Sequence, residues 1–392
     1  MKGGKRAGAT AAPPGLPALD LPALGPPALG KIAPETFERL IAPHLGAVRP
    51  EVLVGPRAGH DTAIVRVGAG RVLAITTDPL SVIPALGLEA SARLACHLLA
   101  SDLWTSGIPP AYATVGFDLP PDLDDEAFGR YWRAMSDAWA GLGVAVVAGH
   151  TGRYPAAPDP AASIIGAATV IGLGDEGRYL SPSMARTGDR VIVTKGCAIE
   201  ATAIAAHLVP DRMTFALAEA GMSADEATAA VARARASLGD VSVVADCRAL
   251  IAIGVRDRGV TALHDATEGG VLGGLLELAR ASGHDLRIER SRIPISAEAR
   301  AACAALGGID PYWTLSEGTL VAAVRPERAV EAVVALREAG IAAADVGEVV
   351  AGNGALWVTG ADAAVTRIDR PDSDPYWAAY ARATSDQPAR DA

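Results

Sequence analysis

The apolar residues of this chain fall in short runs, and that pattern limits its fold more than any other feature. Five β-type runs come first: Ala63–Val67, Val72–Thr76, Tyr112–Phe117, Val144–Ala148 and Ser163–Ile171. Helical spacing appears around Pro34–Ile41, near 88–103 and near 123–141. After a turn around Pro182–Gly188 a second set follows. Its strands are Arg190–Thr194, Val260–His264, Leu286–Glu289, Thr319–Val324 and Ala355–Val358; its helices cover 197–208, 223–237, 242–253, Gly270–Ser282 and 327–339. Neither set is a regular βαβ repeat, so the pattern predicts an α+β (mixed α/β) fold with a boundary near 175–188.

A length of 392 residues suits two domains with cores of their own. We assign residues 1–30 to a disordered Pro/Ala-rich leader, 31–180 and 181–375 to the two domains, and 376–392 to a tail. Stretches free of charged residues reach only about 15 positions, short of the roughly 20 that span a bilayer, so no membrane role is expected. Six prolines between residues 11 and 30 interrupt any signal-peptide core. The four cysteines are at least 50 positions apart, which fits a reducing cytoplasm. With 35 Lys+Arg against 45 Asp+Glu, the net charge of −10 gives nucleic-acid phosphates no general attraction. An anionic small molecule needs a bound cation or a local nest of donors instead.

Six segments carry the chemistry. Gly55–Ala63 contains Gly59, His60 and Asp61 just before a strand. Thr76-Thr77-Asp78 ends a strand, and Ser101-Asp102 ends a helix. Gly149-His150-Thr151 follows a strand. Asp265-Ala266-Thr267-Glu268-Gly269-Gly270 joins a strand to a helix, and Glu317-Gly318 enters a strand. Carboxylates at element ends beside Gly, Thr or Ser suit Mg²⁺, which takes oxygen ligands and keeps places for phosphate and water. Paired glycines at a helix start offer amides and a positive dipole end to an anion, although a plain N-cap at Asp265 or Thr267 reads equally well there. Gly172–Gly177 matches GxGxxG but leads to Pro182 and polar residues, so it reads as a turn. His60, His150 and His264 lack the spacing of a zinc site.

In this order the six segments resemble the aminoimidazole ribonucleotide (AIR) synthase superfamily, nearest its HypE-like hydrogenase-maturation branch. The resemblance runs from about Lys31 to about Thr359. It implies a two-domain PurM-like fold, with an N-terminal sheet domain forming a dimer core and a C-terminal α/β sandwich. It also implies ATP with Mg²⁺, Asp61, Asp78 and Asp102 as metal ligands, and Gly59, His60, Thr77, Gly149 and Thr151 along the nucleotide. Thr267, Gly269 and Gly270 would orient phosphate or substrate, with His150, Asp265 and Glu317 in catalytic roles. The implied reaction phosphorylates a carbonyl, amide or thiocarbonyl oxygen of a small molecule or peptide, in a homodimer that can have a maturation partner protein. A thiamine-monophosphate-kinase-like reaction and a nucleotide-binding scaffold are the alternatives. Three positions depart from the pattern: His150 replaces an acidic residue, Glu268 stands where Arg is frequent, and the chain ends without the branch's cysteine.

Overall fold

The computed structural model describes residues 29–80, 82–154, 164–370 and 373–385. Most of the expected leader, and the chain's last residues with the question of a terminal cysteine, lie outside the described residues. A short helix α1 (Pro34–Leu40) leads into the first sheet, built from β1 (Val52–Val54), β2 (Ala63–Gly68), β3 (Arg71–Pro79), β4 (Tyr112–Leu119), β5 (Ala145–Arg153) and β6 (Ile165–Asp175). Its order is β1-β2-β3-β6-β4-β5, antiparallel except for the β4–β5 pair. That parallel pair is joined by α3 (Asp125–Leu142), and α2 (Leu88–Thr105) covers the same face.

The second sheet comprises β7 (Arg190–Thr194), β8 (Val260–Ala266), β9 (Asp285–Glu289), β10 (Thr319–Val324), β11 (Ala343–Val350), β12 (Leu356–Thr359) and β13 (Val365–Ile368). Its order is β13-β12-β9-β11-β7-β10-β8. Helices α4 (Ile199–Leu208), α5 (Pro210–Glu219) and α6 (Ala224–Ala236) precede α7 (Val244–Ala252); α8 (Gly270–Ser282), α9 (Ala297–Ala305), α10 (Ala329–Glu338) and α11 (Tyr376–Ser385) follow. None of the described helices is long and apolar enough to cross a membrane.

β8 and β10 are buried along their whole length because both faces of this sheet are covered. Ala262 and Ala266 of β8 join the core shared with α4, α8 and α9. Leu263, Leu320, Ala322 and Val324 join the other core, which continues into α2 and the first sheet. Strand alternation therefore sends His264 toward α8 and Asp265 toward α2. Among the described residues, one face of the first sheet is covered. Phe117 packs there edge-on against Phe128, Tyr131 and Trp132, with ring centroids 5.5, 5.9 and 6.2 Å away. Its other face leaves Tyr112, Ile165 and Leu173 exposed, and Val146 and Val147 of the edge strand β5 are exposed as well.

Several elements differ from the sequence reading. The strand expected to stop at Ala148 runs on to Arg153, so Gly149, His150 and Thr151 lie in it and not in a following loop. The segment assigned to a tail opens with α11, whose Tyr376, Ala379 and Ala383 are buried. Helix α5 begins at a proline, α9 is two-thirds Ala, and β11 carries Asp345 and Gly347, which masked their periods.

Phe117→Ala is expected to lower stability by about 3–5 kcal/mol, because it empties the centre of an aromatic cluster. A urea unfolding series against the unsubstituted chain measures it.

Candidate functional site

Two strands, one helix and three turns bring most of the acidic segments to the seam between the sheets. On β3, alternation turns Thr76 and Asp78 inward and Thr77 outward. Thr76 Oγ1 lies 2.8 Å from the Asp61 carbonyl oxygen and 3.2 Å from Asp102 Oδ2, tying the first loop to the end of α2. Thr62 Oγ1 donates to the Asp102 carbonyl at 2.8 Å. From the other sheet, Asp265 on edge strand β8 and Glu317 at the entry to β10 complete the group, both buried.

The seam is held by a closed square of charge. His264, fully buried, has Nδ1 2.8 Å from Asp61 Oδ2 and Nε2 2.8 Å from Glu277 Oε2. With Asp61 and Glu277 both held ionised, the imidazole between them carries a proton on each nitrogen and is a cation. Burial alone would lower its pKa, but the Asp61 and Glu277 charges and hydrogen bonds raise it to about 10. Lys31 Nζ closes the square, 3.7 Å from Asp61 Oδ1 and 4.0 Å from Glu277 Oε1. Burial opposes the charge on Asp61, yet His264 and Lys31 keep its pKa below the usual carboxylate range. Gly59 makes the approach possible. At φ +72° it lies on the α8 backbone, where a Cβ would sit 3.0 Å from the Glu277 carbonyl oxygen.

The remaining carboxylates are only partly compensated, by Lys31 for Asp78 and Asp102 and by His264 for Asp265. Burial first, then the charges of Glu268, Asp61 and Asp265, push Asp78 up to about 7. Burial and the neighbouring Asp265 and Asp78 hold Asp102 well above the usual range. Asp265 is pushed up to about 6 by burial and Asp61, and Glu317 well above its usual value by burial and Asp265. Neither carboxylate oxygen of Asp265 makes a hydrogen bond of good geometry, and Glu317 Oε2 makes none. Buried oxygens of this kind are costly without a counter-ion. Asp61, His264 and Asp265 place ligand-type atoms within 4.8 Å of one another, and with His264 engaged, the oxygens of Asp61 and Asp265 remain. An all-oxygen donor set fits Mg²⁺.

Other expected residues fall elsewhere. Thr77 points to the open face of its sheet and meets Thr169 Oγ1 at 2.8 Å. Gly149, His150 and Thr151 are not brought to the acidic cluster. They lie on β5, three strands removed from β3, and His150 Nε2 meets the Tyr154 hydroxyl at 2.8 Å in the open. At the start of α8 the amides are taken within the chain: Gly269 N–H by Asp374 Oδ2 at 2.9 Å and Gly270 N–H by the Thr267 carbonyl at 3.1 Å. His60 is half-buried beside the square, its Nδ1 near the Ala58 carbonyl and its Nε2 without a partner. Thr267 is buried with its hydroxyl unpartnered.

Sequence reasoning missed Lys31, Glu277, Glu200 and Lys195. Glu277 and Glu200 are single charges inside apolar helical runs, and that isolation was the available signal. Burial and the charge of Glu268 push Glu200 up to about 8. Lys195, held at φ +55°, donates to Asp246 Oδ2 at 2.8 Å and to the carbonyls of Ser242 and Gly318 at 2.7 and 2.9 Å, bracing the turn that carries Glu317. It also lines a cavity of about 1130 Å³ whose lining includes none of Asp78, Asp102, Asp265 and Glu317.

Comparison with known proteins follows the same division. Residues 59–172 match the N-terminal domain of AIR synthase related proteins, and residues 186–358 match the C-terminal domain. The carbamoyl dehydratase HypE of Rhizobium leguminosarum bv. viciae is 30% identical over 304 residues, which cover 75% of this chain and 78% of that protein. Two solved structures share the fold at 22% identity. A HypE–HypF complex gives a TM-score of 0.63, covering 86% of this chain and 99% of that one. HypE in complex with ATP gives 0.60, covering 87% and 95%.

His264→Ala is expected to cost about 3 kcal/mol, since it leaves two half-buried carboxylates with Lys31 alone between them. Denaturant unfolding tests this, and the double variant His264→Ala, Glu277→Ala should lose less than the sum of the two single changes.

Proposed function

The chain belongs to the AIR synthase related family, and on that premise we propose that it is an ATP-dependent, Mg²⁺-requiring enzyme that phosphorylates a carbonyl, amide or thiocarbonyl oxygen. The observation that carries this reading is the group of buried Asp102, Asp265 and Glu317 with half-buried Asp78, carboxyl groups gathered at the seam with their pKa values raised. The ATP complex of the HypE neighbour and the carbamoyl dehydratase relative support it. In this reading Asp61, Asp78 and Asp102 hold Mg²⁺, with Asp265 near enough to Asp61 to join them and Glu317 beside it. The metal, when bound, would neutralise the phosphates of the nucleotide.

The chain's own contribution is positioning. Phosphoryl transfer asks for alignment and charge stabilisation more than for covalent help. Thr62 and Thr76 fix Asp102 and the Asp61 loop. His264 and Glu277 lock that loop to α8, so Asp61 and Asp265 keep their spacing. Lys31 carries the mobile type of positive charge that can follow an anion, beside the same carboxylates.

We also propose that the chain works as a homodimer through the open face of the first sheet. Tyr112, Ile165 and Leu173 lie exposed there, and Val147 and Tyr154 beside them on and after β5. A partner protein is part of the proposal as well, supported by the HypE neighbour solved with HypF. A cytoplasmic setting accords with the four buried free cysteines.

Calorimetric titration with ATP and Mg²⁺ tests the assignment. Asp78→Asn and Asp102→Asn are each expected to weaken nucleotide binding at least about tenfold, or about 1.4 kcal/mol, and binding unchanged in both would refute it. With a candidate substrate, phosphorus NMR should show free phosphate as the end product; a persistent phosphate ester would favour a small-molecule kinase. Light scattering should give twice the monomer mass, and Leu173→Glu should return the monomer.

A further inference from the structure

Two stretches flank the matched domains, the residues before Gly59 and those after Val358, and they meet beside the acidic cluster. Gly30, at φ +94°, lies so near Trp377 that a Cβ would sit 2.7 Å from the indole Cδ1. Trp377 belongs to α11, anchored by its buried Tyr376, Ala379 and Ala383. Just ahead of that helix, Asp374 reaches the start of α8. Its Oδ2 accepts the Gly269 N–H at 2.9 Å, and its Oδ1 accepts the Tyr376 N–H at 2.8 Å.

Gly269 and Gly270 both hold left-handed φ, +80° and +63°, and open a 13-residue helix whose positive end faces this spot. An amide at such a place is a ready seat for phosphate or carboxylate. Here a carboxylate of the chain already fills it. Around the seat stand Glu200, Glu268 and Glu317; the charge of Glu268 acts on Asp374, Glu200 and Glu317 alike, and Lys31 is the cation that reaches Glu268. Two buried polar atoms nearby lack partners, the Thr267 hydroxyl in the turn itself and Glu317 Oε2. An incoming anion would meet an occupied seat ringed by carboxyl oxygens. An amide, amine or other donor would meet open acceptors.

We propose that Asp374 is a specificity-determining residue. By occupying the amide seat at the start of α8, it confines the substrate to molecules that bring a neutral or cationic group, and no phosphate or carboxylate, to that end of the site. This rests on the reading of the seam as the reaction site, and it narrows the substrate class within that reading.

Inorganic phosphate in Mg²⁺-free buffer at constant ionic strength is the probe, and calorimetry the readout, on the full chain. The unsubstituted chain should show no saturable phosphate binding in the millimolar range. Asp374→Ala should gain it, at least about tenfold tighter than any residual binding, because the Gly269 amide is freed. Asp374→Asn keeps an oxygen on that amide and should stay as closed as the unsubstituted chain. If thermal melting shows Asp374→Ala to be unfolded, Asp374→Ser carries the same comparison, its shorter side chain leaving the Gly269 amide free. Equal phosphate binding in the unsubstituted chain and the opened variant overturns the proposal, and so does the absence of any gain in a folded Ala or Ser variant. ATP–Mg²⁺ binding, measured in parallel, reports separately on the site reading, since the phosphate comparison needs neither metal nor turnover.

Discussion

Everything at the seam depends on how much negative charge the chain buries there and on how little of it is cancelled. Asp61 and Glu277 are matched by His264 and Lys31, four groups in a ring with each carboxylate touching both cations. Beyond the ring, Asp78, Asp102, Asp265 and Glu317 pair with no cation, and burial first and then their mutual repulsion raise their pKa values. The ring and the uncompensated group therefore divide the labour. One fastens the two sheets together; the other stays short of positive charge and so is prepared to receive it.

The placement of these groups follows from strand geometry. β8 is covered on both faces, so neighbouring residues necessarily enter different cores: His264 meets Glu277 on α8, and Asp265 meets Asp102 on α2. A fully buried strand has no solvent face on which to park a charge, and two adjacent titratable residues there make sense only with partners on each side. The same alternation removes Thr77 from the site, because its neighbours Thr76 and Asp78 point inward.

Much of this was legible in the sequence. The runs Val260–His264 and Thr319–Val324 read as strands because they are apolar and short, and Asp61, Asp78, Asp102, Asp265 and Glu317 were marked by their positions at element ends. The structure gathers those five. Gly149, His150 and Thr151 followed an apolar run just as Asp78 does, but no local pattern shows how far a strand continues or which edge of a sheet it takes. The paired glycines at 269–270 suggested free amides; that Asp374, over a hundred positions later, takes one of them is a long-range contact without a local trace. Lys31 and Glu277 were missed for the same reason, since their significance is the company they keep.

The core that contains Phe117 and Val170 of the first sheet also contains Leu263, Leu320 and Val324 of the second, with α2 between them. The two halves, though separable as family domains, are not modular. Neither sheet owns its full hydrophobic interior, so a half expressed alone would present a raw apolar face where its neighbour belongs. Cleavage of the connection between Asp175 and Arg190 would leave two pieces that stay associated. The seam with its carboxylates is then no cleft between independent bodies. Its walls belong to one cooperative unit, and loosening it means loosening the whole chain.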